Sequence, residues 1–152
     1  MQNRRQALAM MLSAVAAPAI ITRPAFAAAP VQGFVPHDVT VNIAEQTMWV
    51  HLNGELDNIW QVSTARAGKV TPRGSWSPNF LSRHHRSSLY NNAPMPFAIF
   101  YNGNYAVHGT NQLSKIGSPA SAGCVRLATH HAEILFNRVE RDGLKSFRIT
   151  VI

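Results

Sequence analysis

Cysteine is almost absent from this 152-residue chain, in which Cys124 is the only one. A single cysteine has no partner within the chain, and the sequence contains no CxxC pair of the kind that binds zinc. Three interpretations of Cys124 remain open. It is a reactive thiol, one half of a disulfide to another chain, or a buried structural thiol.

Signatures of several other kinds of site are also missing. Two pairs of adjacent histidines occur, at 84–85 and 130–131, but adjacent side chains do not share a helix face and no HExxH motif accompanies them. The sequence contains no glycine-rich phosphate loop, no serine nucleophile elbow and no carboxylate pair that fits a glycosidase. We therefore expect no metal and no cofactor, and we interpret the paired histidines as surface or loop residues.

Acidic residues are scarce, with 7 Asp and Glu against 14 Lys and Arg and a formal net charge of +7. The basic residues are scattered, and aromatic residues do not interleave with them, so the pattern does not indicate nucleic-acid binding. Without the three arginines of the first 27 residues the formal net charge is +4. A mildly basic surface suits an anionic polymer such as the cell wall, although an ordinary solvated surface explains it equally well.

Long apolar stretches are confined to the start of the chain. The residues MQNRR give a positive start, ALAMMLSAVAAPAII follows as an apolar stretch, and AFA at 25–27 is a small-x-small cleavage site. This is the three-part layout of a secretory signal, and the stretch is too short, and too interrupted by Pro18, to span a membrane. The pair Arg4-Arg5 is typical of twin-arginine export. The alternative is an amphipathic anchor that is kept.

Cleavage after Ala27 leaves residues 28–152 as one domain, which is long enough to bury a core. We predict that residues 1–27 are a signal peptide and that the protein is exported to the periplasm or cell envelope. No stable membrane insertion is expected once the signal is removed.

Alternation of apolar and polar residues predicts strands over Val39–Ile43, Thr47–Leu52 and Ile59–Thr64, and Asn53-Gly54 forms a hairpin turn between the last two. A second hairpin is predicted around residues 102–104, and KSFRITVI at the end reads as a strand. One helix is predicted over His130–Arg141, with Thr129 as its N-cap and Asp142-Gly143 as its end.

Two segments lack periodicity, residues 75–96 and 111–122, and the first is predicted to be a functional loop or lid. The predicted fold is mainly β: a sandwich or barrel of mostly antiparallel strands with one or two short helices and a long lid loop.

The residues around Cys124 favour chemistry over structure. Gly123 carries no side chain, so the backbone amides can approach a reacting carbonyl oxygen. Arg126 lies two positions further on, where a guanidinium favours the thiolate or holds a substrate carboxylate. His108 ends a predicted strand, and Cys124 follows it at a separation of 16 positions, which is long enough for the chain to return the thiol to the imidazole. A thiol and an imidazole suffice for nucleophilic acyl transfer, with a backbone carbonyl to orient the ring.

Longer motifs then resemble one family. HGT at 108–110, followed by a loop and SAGCVR at 121–126, is similar to the catalytic signature of the L,D-transpeptidases, the YkuD domain. TPRGSW at 71–76 resembles the turn of that family, and APMPFAIFYNGNYAVHGT and IGSPASAGCVRL resemble the segments that lead to its histidine and cysteine. Two positions depart from the pattern: Ala122 replaces a histidine that many members carry, and Ala65 replaces a glycine.

The resemblance implies a role for each matched residue. Cys124 is the implied nucleophile, His108 the base, and the carbonyl of Gly109 the group that orients the imidazole. The amides of Gly123 and Cys124 are implied to form the oxyanion hole. Substrate contacts are expected from Arg126, and also from Ser121 and Tyr90, although Ser121 equally well shapes the turn. His84 and His85 also contact substrate if residues 75–96 form a lid.

The implied substrate is the peptidoglycan stem peptide, and the implied reaction forms 3→3 cross-links through a thioester on Cys124. Water as acceptor would make the protein an L,D-carboxypeptidase or hydrolase, and a lysine of a cell-wall-linked protein would make it a ligase. The alternatives that are not enzymes are a wall-binding module and a dimer linked through Cys124.

Overall fold

The computed structural model describes residues 36–152, which form nine strands, one α-helix and two 3-10 turns. The predicted signal peptide at residues 1–27 lies outside this part of the chain. Among the residues described, no helix has the length and the apolar character that a membrane span needs. The strands are β1 (His37–Asn42), β2 (Thr47–Leu52), β3 (Glu55–Gln61), β4 (Gly74–Trp76), β5 (Phe80–Arg86), β6 (Pro94–Asn102), β7 (Tyr105–Thr110), β8 (Val125–Ala128) and β9 (Phe147–Val151).

The strands form two sheets, which confirms the predicted mainly β fold. Sheet A has the order β3-β2-β1-β9-β4, and sheet B has the order β5-β6-β7-β8. Five of the seven strand pairs are antiparallel, as expected. The two parallel pairs are β1 with β9 and β7 with β8. The second of these pairs positions the candidate site, because it brings the end of the HGT motif beside the residues that follow Cys124.

The hydrophobic core contains alternate residues of both sheets and one face of the helix α1 (Thr129–Asp142). In β1 the burial alternates strictly, with Val39 and Val41 fully buried, and these residues pair in register with Ile149 and Val151 of β9. Burial of each such side chain contributes about 1.5–3 kcal/mol to folding. The core therefore supports one face of sheet B, and the opposite face of that sheet is left for a site.

The helix extends one residue further at each end than the predicted His130–Arg141. Thr129 is its first residue, and the N-cap position belongs to Ala128, which makes no side-chain cap hydrogen bond. The Thr129 hydroxyl instead donates to Asn111 Oδ1 at 3.1 Å. The predicted capping role of Thr129 is therefore wrong, because a contact with the neighbouring loop competes for its hydroxyl. Gly143 ends the helix as expected, with a φ of +91°.

Residues 75–96 are not one long loop. Most of β4 and all of β5 lie within this segment, and only residues 77–79 and 87–93 lie outside the strands, as connections between them. β5 is the edge strand of sheet B, and its pairing with β6 depends on backbone hydrogen bonds. An edge strand tolerates polar side chains on both faces, so SRHHR carries no alternating pattern that the sequence could reveal.

The strand predicted at Ile59–Thr64 begins and ends earlier, since β3 ends at Gln61. Residues 62–66 turn towards sheet B, where Ser63 forms an antiparallel bridge with Arg126 and Ala65 a parallel bridge with Ser121. This segment therefore ties the end of β3 to the loop that carries Cys124.

Candidate active site

The parallel pair of β7 and β8 places the histidine, the cysteine and the arginine on one face of sheet B. His108 lies opposite Arg126 in the register, and Val107 lies opposite Val125. Both valines are fully buried in the core, so the side chains of His108 and Arg126 point to the opposite face. Cys124 precedes Arg126 by two residues and packs on this same face, against Ala98, Phe100 and Ala106 among others.

One cleft of about 600 Å³ opens on this face. It is lined by six residues singled out from the sequence: Tyr90, His108, Ser121, Gly123, Cys124 and Arg126. The other lining residues come from the β5–β6 connection, both ends of β6, the turn into β7 with Tyr105, the segment 110–112 and Ala122, together with Arg66. Gly109 is not among the lining residues, and its carbonyl oxygen instead forms a hydrogen bond with Nδ1 of His108.

The imidazole of His108 is oriented by the backbone of its own neighbour. Its Nδ1 lies 2.8 Å from the carbonyl oxygen of Gly109, and the residue is only 6% exposed. A carbonyl oxygen only accepts, so Nδ1 carries the proton in this contact. The neutral ring therefore keeps its lone pair on Nε2, which is the form a general base requires.

Burial lowers the pKa of His108 to about 4, and the positive charge of Arg126 and His85 acts in the same direction. The hydrogen bond to Gly109 opposes this shift without cancelling it. The imidazole is therefore neutral at neutral pH and is able to accept a proton.

The thiol of Cys124 is also in its neutral form at rest. Burial raises the pKa of Cys124, and this effect outweighs the backbone N–H of Ala106 and the guanidinium of Arg126, which both lower it. The thiol donates to the carbonyl oxygen of Asn104, with a sulfur–oxygen distance of 3.7 Å. Arg126 thus acts on the thiol in the direction expected from the sequence, but desolvation of the sulfur is the larger effect.

The hydroxyl of Ser121 holds the turn that carries the cysteine. It donates to the carbonyl oxygen of Cys124 at 2.6 Å and accepts from the N–H of Gly123 at 3.0 Å. Ser121 is 1% exposed, so its geometry favours shaping the turn over contacting a substrate. The same contact engages the N–H of Gly123, which leaves the N–H of Cys124 as the more accessible of the two expected oxyanion donors.

Only glycine fits at position 123. Its φ is +140°, and a Cβ atom there would lie 2.7 Å from Cε1 of Tyr105 and 2.9 Å from the carbonyl oxygen of Val70. The sequence indicates a glycine that admits a substrate, whereas the structure shows that the ring of Tyr105 and the backbone of Val70 already occupy the space beside it.

Tyr90 lies in the connection between β5 and β6, at the rim of the cleft, and is 45% exposed. Its neighbour Leu89 is 63% exposed and lines the same cleft. Both N–H groups donate to the hydroxyl of Ser87, at 3.1 Å for Tyr90 and 3.2 Å for Leu89. The backbone of this connection is thereby held while two large side chains face the opening. His84 and His85 lie in β5 and are not lining residues of the cleft.

Two further residues belong to the site although sequence reasoning gave them no role. The hydroxyl of Thr71 donates to the carbonyl oxygen of Gly123 at 2.8 Å, and Arg66 donates to the carbonyl oxygen of Ser121 at 3.3 Å. The motif TPRGSW was the available signal for Thr71, but it indicates only a turn. Arg66 is one basic residue among many. Both contacts join residues more than 50 positions apart, which no local pattern reveals.

Residues 36–150 match the sequence profile of the YkuD family, the L,D-transpeptidase catalytic domain. YkuD of Bacillus subtilis (strain 168), which carries an L,D-transpeptidase name, is 24% identical over 105 residues, covering 66% of this chain and 58% of that protein. ErfK/SrfK of Escherichia coli (strain K12), with a name of the same kind, is 26% identical over 125 residues, covering 66% of this chain and 40% of that protein.

Among solved structures, the L,D-transpeptidase LdtMt1 in complex with imipenem has the same fold, with a TM-score of 0.69 at 20% identity over 77% of this chain and 59% of that one. The chain spans about 40–60% of the length of these three relatives. Since the family profile covers most of the sequence, the chain belongs to the YkuD family of L,D-transpeptidase catalytic domains.

Proposed function

We propose that this protein is a cysteine-dependent L,D-transpeptidase that acts on peptidoglycan stem peptides and forms 3→3 cross-links through a thioester on Cys124. The observation that carries the proposal is the convergence of Cys124 and His108 in one cleft, with the proton of His108 held on Nδ1 by Gly109. Membership of the family supports the acyl transfer itself.

In the first half-reaction the sulfur attacks the carbonyl carbon of the diamino acid at stem position three, and Nε2 of His108 takes the thiol proton. The carbonyl electrons move onto oxygen, and the N–H of Cys124 donates to this oxyanion. When the tetrahedral intermediate collapses, its bond to the terminal D-alanine nitrogen breaks, and His108 returns the proton to that nitrogen. The D-alanine leaves and the thioester remains.

The N–H of Gly123 has a secondary place in this step. It donates to the Ser121 hydroxyl at rest, so it can contribute to the oxyanion hole only after that hydrogen bond is exchanged for the substrate oxygen. We therefore assign Cys124 as the first oxyanion donor and Gly123 as the second.

In the second half-reaction an amine of a neighbouring stem attacks the thioester. The new amide bond forms as the bond between carbon and sulfur breaks, and the proton of the amine passes through His108 to the leaving thiolate. The cysteine is then regenerated in its neutral form. The basic side chains of the cleft and its rim residue Tyr90 are the proposed contacts for the stem.

The resting pair is neutral on both partners, and this sets the timing of proton transfer. A lowered pKa of His108 and a raised pKa of Cys124 both disfavour a preformed pair of thiolate and imidazolium. The proton therefore moves together with the attack, once the bound carbonyl is in place to receive the sulfur electrons.

We further propose that the protein is exported and acts in the periplasm or cell envelope, where its substrate lies. The signal-like composition of residues 1–27 supports this placement.

The test is incubation of the purified protein with a disaccharide-tetrapeptide, followed by mass spectrometry of the products. A cross-linked dimer with release of D-alanine is the expected result. Tripeptide alone identifies a carboxypeptidase, and attachment to an added lysine-containing wall protein identifies a ligase. No product from the wild type contradicts an enzymatic function and leaves the wall-binding module or the dimer linked through Cys124. Non-reducing electrophoresis detects the latter.

A further inference from the structure

Two guanidinium groups share the cleft with the thiol. Arg66 and Arg126 both line it, and no Asp or Glu is found among the lining residues of the described chain. Arg66 donates to the carbonyl oxygen of Ser121 at 3.3 Å, and Arg126 donates to Oε1 of Gln112 at 3.2 Å. Both acceptors are uncharged, and none of the ion pairs within residues 36–152 includes either arginine.

The backbone keeps these two charges near each other. The bridges from Ser63 to Arg126 and from Ala65 to Ser121 hold the segment that carries Arg66 against the loop before β8. Burial lowers the pKa of Arg126, and the charge of Arg66 lowers it further although the Cys124 thiolate form opposes both. An anion bound between the two guanidinium groups would relieve this repulsion, and a carboxylate matches the planar donor geometry of arginine.

We propose that Arg66 and Arg126 form a carboxylate-binding subsite, in which Arg66 is a specificity-determining residue that selects stem peptides carrying a free carboxylate. This proposal rests on the proposed function of the same cleft. Two such groups flank the scissile bond of a stem tetrapeptide: the carboxylate of the terminal D-alanine and, where the diamino acid at position three is diaminopimelate, its side-chain carboxylate. Both are recognised by the same chemistry.

The experiment compares three tetrapeptides: one with both carboxylates free, one with the side-chain carboxylate amidated, and one with the terminal carboxylate amidated. Arg66→Gln is expected to raise KM for the free peptide about tenfold or more, because a charge-assisted hydrogen bond is lost. The wild type is expected to have a lower KM for the free peptide than for the peptide in which the bound carboxylate is amidated. Arg66→Gln is expected to have the same KM for these two peptides. Whichever of the two amidated peptides shows this change carries its amide at the carboxylate that Arg66 binds.

Arg148→Gln is the matched control, since it removes the same charge from an exposed position on β9 of sheet A. It should leave KM unchanged, and Arg66→Gln should melt at the wild-type temperature because Arg66 is exposed. An active wild type whose Arg66→Gln variant keeps KM and the preference within twofold would overturn the subsite and leave the proposed function standing. A wild type inactive on all three peptides would overturn both.

A separate observation concerns Thr71, which is 5% exposed. Its hydroxyl accepts from the N–H of Ala65 at 3.0 Å and donates to the carbonyl oxygen of Gly123 at 2.8 Å. The carbonyl of Gly123 and the N–H of Cys124 belong to one peptide group. Because a trans peptide is planar, its C=O and N–H point in opposite directions, and a hydrogen bond that fixes one also fixes the other.

We infer that Thr71 is a positioning residue that aims the N–H of Cys124 at the developing oxyanion. The N–H of Ala65 donates to the Thr71 oxygen, so the hydroxyl proton of Thr71 is directed to the carbonyl oxygen of Gly123. Thr71 touches no reacting atom and acts only through the peptide group between Gly123 and Cys124.

Two reactions of the same thiol test this inference. Acylation of Cys124 by a carbapenem passes through an oxyanion, whereas alkylation by iodoacetamide does not. Thr71→Val, which replaces the hydroxyl by a methyl, is expected to slow acylation about 10- to 100-fold, less than loss of a whole oxyanion donor. Alkylation should keep its wild-type rate, and Thr71→Ser should restore acylation.

The inference is overturned if Thr71→Val slows both reactions equally, or if Thr71→Ser is as impaired as Thr71→Val. Thr71→Ala also removes the hydroxyl and gives the same comparison if Thr71→Val does not fold.

Discussion

The hydroxyl of Ser121 is predicted to be a main support of the catalytic loop. It closes two hydrogen bonds within four residues, to the carbonyl oxygen of Cys124 at 2.6 Å and from the N–H of Gly123 at 3.0 Å. Ser121→Ala removes both bonds and changes little else, since the residue is 1% exposed and alanine is smaller than serine by the hydroxyl alone.

The expected loss of stability follows from the two groups left without a partner. A buried donor or acceptor that loses its partner costs about 1–3 kcal/mol. The N–H of Gly123 lies in the interior of the turn, whereas the carbonyl of Cys124 belongs to a half-buried residue at the cleft, where water softens the cost. We therefore expect Ser121→Ala to lower the free energy of unfolding by about 2–3 kcal/mol. For a chain of this size, the melting temperature should fall by about 5–10 °C.

Urea unfolding followed by far-UV circular dichroism measures this loss. Ser75→Ala is the control, because its hydroxyl is exposed on β4 and contacts only Thr150 Oγ1, at 3.0 Å. This variant should stay within about 0.5 kcal/mol of the wild type. If Ser121→Ala is no less stable than Ser75→Ala, the Ser121 hydroxyl does not hold the loop and the account of the turn is refuted.

Three further outcomes are expected. Gly123→Ala should cost about 1–3 kcal/mol and abolish acylation, because its Cβ would collide with Tyr105. Gly54→Ala also places a side chain at a positive φ, of +83°, but no atom lies within 4 Å of its Cβ, so it should cost about 1 kcal/mol and keep the wild-type rate of acylation. In the unfolded chain His108 binds a proton below its ordinary pKa of 6.5, but the folded protein resists protonation down to about 4. As the pH falls from about 6.5 to about 4, the wild type should therefore lose about 3 kcal/mol more of its free energy of unfolding than His108→Gln does. If urea unfolding shows the same loss in both proteins over this range, the effect of burial on His108 is contradicted. Tyr90→Ala should raise KM for the stem peptide without shifting the melting temperature, and an unchanged KM would remove Tyr90 from the substrate contacts.

The strands that the sequence predicts are those with one face on the core, because their apolar and polar residues alternate. β1 and β2 bury every second residue, so their period is visible in the residues themselves. β5 is an edge strand whose side chains are mostly half-buried or exposed, and its pairing with β6 depends on the backbone. A pattern of side chains cannot report such pairing, and residues 80–86 therefore look like a loop in the sequence.

The candidate site shows the same division. Short motifs single out Cys124 and His108, and the chain length between them permits their approach. Which face of sheet B they occupy depends on the parallel register of β7 and β8, which joins distant segments. Likewise, the roles inferred for Thr71 and Arg66 depend on contacts across more than 50 residues.

The protonation state of Cys124 and His108 is the feature of the site that is hardest to predict from the sequence. A guanidinium two residues from a cysteine suggests a stabilised thiolate, and Arg126 does lower the pKa of Cys124. The degree of burial decides the outcome, and burial is a property of the packed structure around Ala98, Phe100 and Ala106. Sequence reasoning gives the sign of the nearby charge but not the cost of desolvation.

The location of the covalent intermediate tests the central claim most directly. The protein is incubated with a carbapenem, digested, and mapped by tandem mass spectrometry alongside Cys124→Ala. One adduct is expected, on the peptide that contains Cys124, and none in the variant. An adduct that persists in Cys124→Ala, or a wild type that gains no mass, would contradict this claim.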